Sequence, residues 1–359
     1  MQPDRQENQN KHESRSAWWS RSADAFADFA YRYQTIIKVA LVVFFIFYFA
    51  FAAIFLGLRY VVLPHVNEYK TEIEKLASES IGKNVRFSKI TASWYGLQPK
   101  VDLENVTLSD DRGKEYVRLK NVSAVVSWWS VPLMDLRLAS LVVDKPDINI
   151  SRDRDGRFYV AGILVDPEKQ TESGVADWIL KQHEIIVRDG AIHWKDDFRH
   201  AAELNLDQFN FAMKNRGRKH RFRLTAVPDA HIADSIDIRG NLSHPRFEKK
   251  VSDVSKWKGD LYVALPNLNA DQWKKYVDLP VELDGGTGSI QVWAGVDKSR
   301  LTEISAELDL KNLKLRLRKD LPVLDLAFAT GRFDMKRLVN AGAEDDLQAH
   351  PFYSYGVDK

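Results

Sequence analysis

The chain has 359 residues, enough for one large domain or two smaller ones, and carries 52 Lys and Arg against 50 Asp and Glu, a formal charge of +2. Acidic and basic residues interleave, and neither His12 nor the scattered Arg residues form a stripe, which excludes the electrostatic footprint of a nucleic-acid binder. Cysteine is absent, which excludes disulfides, thiolate catalysis and Cys-type zinc sites together and leaves the redox compartment open. The 10 Trp residues suit interfacial surfaces or a large ordinary core equally well.

Residues 1–20 are polar and poor in aliphatics, the composition of a disordered tail. Ser22 to Tyr33 reads as a short amphipathic helix with Phe26, Phe29 and Ala30 on one face. Val39 to Leu58 is then free of charge, long enough at 1.5 Å per residue to cross the ~30 Å hydrocarbon layer of a bilayer. Lys38 and Arg59 bracket it, with Tyr31, Tyr33 and Tyr60 where aromatic belts form. A cleaved signal peptide fits less well: apolar residues continue past Ala50-x-Ala52, and the preceding region is far too long. Orientation is undecided by charge, because Arg21, Arg32 and Lys38 on one side balance Arg59, Lys70 and Lys75 on the other.

After the span, the spacing of Val66, Tyr69, Ile73, Leu76 and Ala77 predicts a helix from Pro64 to Ile81, stopped by Gly82. From Val85 the period changes to two. Strands are predicted at 87–90, 100–109, 115–127, 136–143, 147–152, 184–188, 191–195, 203–213, 221–227, 235–242, 258–265, 288–294 and 301–317, with turn residues between them. Short helices are predicted at Ser173 to Gln182 and Asn269 to Val277, each with its first residue as N-cap, and a last one after Asp334. Residues 165–173 read as a linker. The division expected is a tail (1–35), a span (36–63), a first β region with its leading helix (64–164), the linker and short helix (165–183), a second β region (184–335) and an atypical end (336–359).

A small repeat runs through the strands. Val101-Asp-Leu-Glu-Asn-Val106, Val117-Arg-Leu-Lys-Asn-Val122, Leu308-Asp-Leu-Lys-Asn-Leu313 and Leu204-Asn-Leu-Asp-Gln-Phe209 share apolar alternation whose parity slips by one at an amide residue. Strict period two would throw the second half of each strand onto the opposite face. A β-bulge at Asn105, Asn121, Asn312 and Gln208 would keep both halves facing one way and bend the strand.

The search for chemistry finds no catalytic constellation and assigns no catalytic, cofactor-binding or metal-binding residue. No H-E-x-x-H occurs, and His193 and His200 are separated by a predicted turn. Gly285-Gly-Thr-Gly-Ser289 lacks the Lys of a phosphate loop and leads into a strand, so it reads as a hairpin turn. Asp196-Asp197 and Asp345-Asp346 are sequence neighbours whose side chains point apart in a strand. Arg152-Asp-Arg-Asp-Gly156 reads as a solvated turn ahead of a metal or anion site. No cofactor is called for, and lipid-contacting residues are left unassigned.

Ile81-Gly-Lys-Asn-Val85, Ile90-Thr-Ala-Ser-Trp-Tyr-Gly-Leu97, Leu103-Glu-Asn-Val-Thr-Leu108, Ile150 to Gly156, Glu184 to Trp194, Gly285 to Trp293 and Asp320 to Gly331, in this order behind a membrane span, resemble the N-terminal region of the AsmA-like family, and within it the YhdP-like branch. The resemblance runs from residue 36 to about 335. It implies an inner-membrane anchor of a Gram-negative bacterium, a periplasmic domain and a bridge-like β-groove carrying phospholipid between inner and outer membranes, with no enzymatic activity. The partners it implies are phospholipid, the inner membrane and other envelope proteins. YhdP-like proteins are several times longer; roughly fifteen strands at 4.8 Å give a groove of ~70 Å, too short for a periplasm, so a truncated or split product is expected. The fold expected is mainly β with a few helices, a curled, groove-like antiparallel sheet behind one transmembrane helix, with a β-sandwich as the alternative.

Overall fold

The structure is a computed structural model and describes residues 33–109, 115–161, 163–165, 174–229, 232–246, 251–276, 282–298, 300–316, 320–337 and 353–358. The chain forms two units, Met1–His65 and Val66–Lys359. In the first, helix α1 (Tyr33–His65) is a single apolar helix with none of its most apolar stretch buried. It contains the expected span, and at 33 residues its length of ~50 Å exceeds a bilayer's hydrocarbon layer. Its last turns loosen to a π segment over Leu58–Val62 and a 3-10 turn over Leu63–His65. Pro64 therefore lies in the last turn of this helix, and the expectation that it begins the next helix does not hold. The missing N–H of a proline costs little where the ladder is already loosening. The helix predicted from Ser22 lies outside the described residues except for Tyr33, as does the polar tail.

The second unit opens with a turn over 66–69 and helix α2 (Lys70–Ile81), stopped as expected by Gly82 in the left-handed conformation (φ 75°), whose N–H donates to Ser78 O. The elements that follow are β1 (Asn84–Arg86), β2 (Lys89–Tyr95), β3 (Gln98–Ser109), β4 (Glu115–Val126), α3 (Ser130–Leu133), β5 (Leu138–Asp144), β6 (Asp147–Arg152), β7 (Phe158–Val160), β8 (Ile163–Val165) and α4 (Gly174–Lys181). Then come β9 (Glu184–Asp196), β10 (Leu204–Arg216), β11 (Lys219–Pro228), β12 (Ile236–Ser243), β13 (Lys258–Asn269), α5 (Ala270–Trp273), β14 (Glu282–Asp284), β15 (Thr287–Asp297), β16 (Arg300–Arg316), β17 (Leu324–Arg337) and β18 (Tyr353–Asp358). Asn269 caps α5 as predicted, its side chain accepting from Asp271 N–H at 3.1 Å, although the helix proper is shorter than expected. No helix follows Asp334 over residues 335–337, because β17 continues through them paired with β16 and β18.

All 18 strands among the described residues belong to one sheet. Neighbours are antiparallel except that β5 and β6 both run parallel to β9. From β3 the order of pairing runs β4, β5 and β6, β9, β10, β11, β12, β13, β15, β16, β17, β18. The sheet is open and no second sheet forms among the described residues, so the sandwich alternative does not hold.

Three long strands each carry two short ones on a single edge, in one continuous register. β1 and β2 share an edge of β3, β5 and β6 an edge of β9, and β14 and β15 an edge of β16. The breaks fall beside residues with positive φ: Asn105 (53°) in β3, Asp189 (50°) in β9 with Lys145 (49°) opposite it, and Asn312 (53°) in β16. Gly285 and Gly286 (φ 82° and 121°) are the break between β14 and β15. The hairpin turn predicted at Gly285 to Ser289 is thus a break within one strand line, since both halves pair with β16. A glycine-rich turn and an in-strand break call on the same left-handed backbone.

The parity slip is real and its device is mostly not a bulge. Asn105 and Asn312 adopt the left-handed conformation with no register shift beside them, so one residue turns the strand over without an insertion. Val101, Leu103, Val106 and Leu108 consequently all join one apolar cluster. Gln208 (φ 47°) does sit in a register shift between β10 and β11, a bulge as predicted. Asn121 has neither positive φ nor a register shift, so no bulge forms there; Leu119 and Val122 nonetheless reach the same cluster. Asn267 (φ 50°) does the same work in β13, beside a register shift that follows Leu265.

Short polar side chains are the L-residues that tolerate this conformation best. Because Asn312 is exposed, Asn312→Val should lower stability by about 1–2 kcal/mol through backbone strain alone. Asn312→Gly should leave it unchanged or raise it slightly. Thermal unfolding of the purified chain followed by circular dichroism checks both.

Candidate functional site

Strand partners that oppose one another place their side chains on the same face. The register therefore traces one line of side chains across the sheet: Ile90, Leu103, Val122, Val143, Val187, Phe211, Leu224, Ile238, Val263, Val292, Ala306 and Phe333 are successive partners from β2 to β17. Every member is apolar. A second line, Leu141, Ile185, Met213, Phe222, Gly240, Leu261, Ala294, Ile304 and Met335, runs beside it. At Gly240 the Phe222 ring occupies the space a side chain would need, 2.2 Å from where a Cβ would stand.

The opposite face is polar over the same strands. Arg239 and Arg223 grip Asp237 at 2.7 and 2.9 Å, and the Arg239 guanidinium holds that carboxyl below the usual carboxylate range. Arg239 also lies over Tyr262, whose hydroxyl donates to Gln291 at 3.0 Å. Ser305 donates to Asp334 further along. The sheet is amphipathic as a whole, one face apolar and the other ionic.

Cover is unequal along the apolar face. Near β2–β5, Ile73, Ala77 and Ile81 of α2 pack on the cluster around Val85, Phe87, Ile90 and Val106, and Ile90 is 0% and Val122 6% exposed. Trp178 and Ile179 of α4 extend the cover over Ala124 and Leu138. Farther on, Phe211, Leu224, Ile238, Val263, Val292, Ala306 and Phe333 are all only half-buried. These residues are the candidate site: an apolar surface of one sheet with no second layer on it among the described residues.

At the α4 end the face closes on a buried polar cluster. Gln182 accepts Leu138 N–H at 2.7 Å, Asn215 donates to Gln182 O at 2.7 Å, and Asn215 Oδ1 meets His220 Nδ1 at 2.7 Å. The His220 ring stacks on Trp257 at 4.7 Å with His244 at 5.3 Å. Burial, reinforced by His244, pushes the His220 imidazole down from 6.5 to about 4.

The residues weighed for chemistry do not assemble. His193 is held by Asn205 at 2.6 Å and Asp147 at 3.1 Å, while His200 sits apart in the turn after β9. Asp196 is 1% exposed and Asp197 pairs outward with Lys195, so the two carboxylates do point apart. Asp153 is spent on its own turn, accepting from Arg157 Nε at 2.7 Å and the Tyr159 hydroxyl at 3.2 Å. Asp345 and Asp346 lie outside the described residues. Among the described residues no group of three or more metal-ligating side chains gathers. The alternation of apolar residues is visible in sequence, but which of them line up across the sheet is fixed by long-range register.

His220 carries a pH signature. Folded, it stays neutral to about pH 4, whereas unfolded it takes its proton near 6.5. Between those values the unfolded chain binds more protons, so stability falls as pH falls. Between pH 7 and 5 the parent should lose about 2 kcal/mol more than His220→Gln, read from unfolding midpoints at each pH.

One comparison with known proteins gives a match. The model of the family described as YhdP protein matches residues 29–344, most of the chain. No curated protein and no solved structure matches it.

Proposed function

We propose a function on one premise: the chain belongs to the YhdP family. We read it as an anchored envelope protein that takes part in phospholipid transport between inner and outer membranes and so in outer-membrane homeostasis. On this reading α1 is the inner-membrane anchor, the sheet lies in the periplasm, and the protein works by binding, with no cofactor and no catalytic step.

The observation that carries the reading is the apolar line from Phe211 to Phe333, unbroken over successive strands and without a layer above it among the described residues. Acyl chains fit such a surface because each methylene moved out of water contributes roughly 0.8 kcal/mol without needing a directed partner. The headgroup would stay in water beyond the apolar surface, so the sheet need not recognise it. Lines of partners that cross from strand to strand let a chain shift by one strand spacing, about 4.8 Å, with little change in contact. A surface of this kind holds lipid without fixing it in place.

Photoreactive residues placed at Val263 and Val292 on the apolar face, and at Tyr262 and Gln291 on the other, test this in cells. Lipid adducts are expected from the first pair and at background level from the second. Equal lipid yields from the two faces would contradict the proposal, and protein adducts alone from Val263 and Val292 would replace it with a scaffold that binds polypeptide.

A further inference from the structure

The β2–β3 turn and the β4–β5 connection meet at one end of the sheet, where Trp128 Nε1 donates to Leu97 O at 3.0 Å. Together they present six large apolar side chains to solvent: Tyr95 is 69% exposed, Leu97 68%, Trp129 69%, Val131 56%, Leu133 53% and Met134 97%. Single exposed apolar residues are ordinary on any protein, but six on two joined loops are a patch. No residue from Ser127 to Met134 is charged. Behind them Asp135 and Arg137 pair with each other at 2.9 Å.

The exposure is built into the backbone. Ser130 Oγ donates to Arg137 O at 2.9 Å and accepts Arg137 N–H at 3.0 Å, and Ser127 N–H donates to Arg137 O at 2.9 Å. These bonds clamp the two ends of the connection, so α3 projects as a closed loop. Met134 then takes the left-handed conformation (φ 48°), which ends α3 at the loop's outermost residue. The cost of that conformation in a residue other than glycine is accepted here, at a position with no burial to repay it.

We propose that this tip enters the interfacial layer of the bilayer that holds α1, as a second, reversible contact with lipid. The inference rests on reading α1 as a membrane anchor. Trp and Tyr beside Leu, Val and Met, without charge, is the composition that settles at the boundary of headgroups and acyl chains. The tether favours the anchoring bilayer over any other partner. The uncharged span ends at Leu58 and α2 starts at Lys70, so only residues 59–69 tether the domain to that bilayer. Val66, where the domain begins, is buried in one cluster with Ile90, and the stretch of β2 from Ile90 to Tyr95 covers only ~17 Å. A short tether raises the effective concentration of the surface around the tip.

The natural absence of cysteine allows a clean test in the full chain. Nitroxide labels at Met134→Cys and, independently, at Leu97→Cys are read in phospholipid nanodiscs by collision with oxygen and with a water-soluble nickel chelate. Labels at Phe47→Cys within α1 and at Glu307→Cys on the polar face set the lipid and water limits. The ratio of oxygen to nickel accessibility at 134 and 97 is expected to lie several-fold above that of Glu307→Cys, towards that of Phe47→Cys. Water-like ratios at both tip sites, with Phe47→Cys lipid-like, would overturn the tip alone. Shielding from oxygen and nickel together would assign the tip to a protein surface or a second copy and would equally overturn it. A water-like Phe47→Cys would remove the anchor and the tip with it.

Discussion

A one-layer sheet can bury its apolar residues only if every strand keeps them on the same face. Here the apolar residues of several strands slip parity within the strand, so strict alternation would not do so. The constraint is met by left-handed residues at Asn105 and Asn312, which turn the strand over without an insertion, and at Asp189, Gln208 and Asn267, which lie beside register shifts. Lys145 and the Gly285–Gly286 pair have positive φ at breaks in neighbouring strand lines. Lys145 N–H donates to Arg188 O at 2.8 Å across the break, and Asn105 Nδ2 donates to Ser88 Oγ at 3.0 Å, so the ladder is not opened where it is turned. Remove these residues and half of each strand would present Leu and Val to the ionic face, where Asp237, Arg239 and Arg223 now bind one another.

The uneven cover follows from how few helices there are among the described residues. α2 and α4 seal the apolar face over β1–β5, which makes that end a conventional core with Ile90 at 0% exposure. Along the line from Phe211 to Phe333 the same face is only half-buried, although Phe209, Met213, Ala226, Leu310 and Leu313 on the same strands are buried. The molecule therefore combines a folded end that supplies stability with a long surface that a soluble domain would normally have covered. The function proposed above uses that second part.

Much of this was legible in sequence. The apolar helix, the change of period at Val85 and the stop at Gly82 need only local chemistry, and the parity slips at Asn105, Asn312 and Gln208 marked the turned residues correctly. The slip Val263-Ala-Leu-Pro-Asn267-Leu268 has the same form but is interrupted by Pro266, which reads as the end of a strand. Pro64 and Gly285–Gly286 misled for a shared reason: proline opens helices and glycine pairs make hairpins, but each also suits a loosening helix end or an in-strand break. The parallel placement of β5 and β6 against β9, and with it the line from Ile90 to Phe333, depends on partners far apart in the chain, which no local pattern specifies. The exposed tip was hidden because Ser127 to Met134 reads as an unremarkable apolar stretch until its burial is known.

The central claim is that the apolar line holds acyl chains. Its most direct test is the amount of phospholipid that stays with the chain through purification, measured by extraction and mass spectrometry for the parent and for Val292→Glu. A carboxylate at Val292 sits in the middle of the half-buried line, on an exposed enough surface for the sheet to persist. The account predicts that the parent retains phospholipid and that Val292→Glu loses most of it while its circular dichroism is unchanged. Equal phospholipid in the two, with the fold intact, would contradict it.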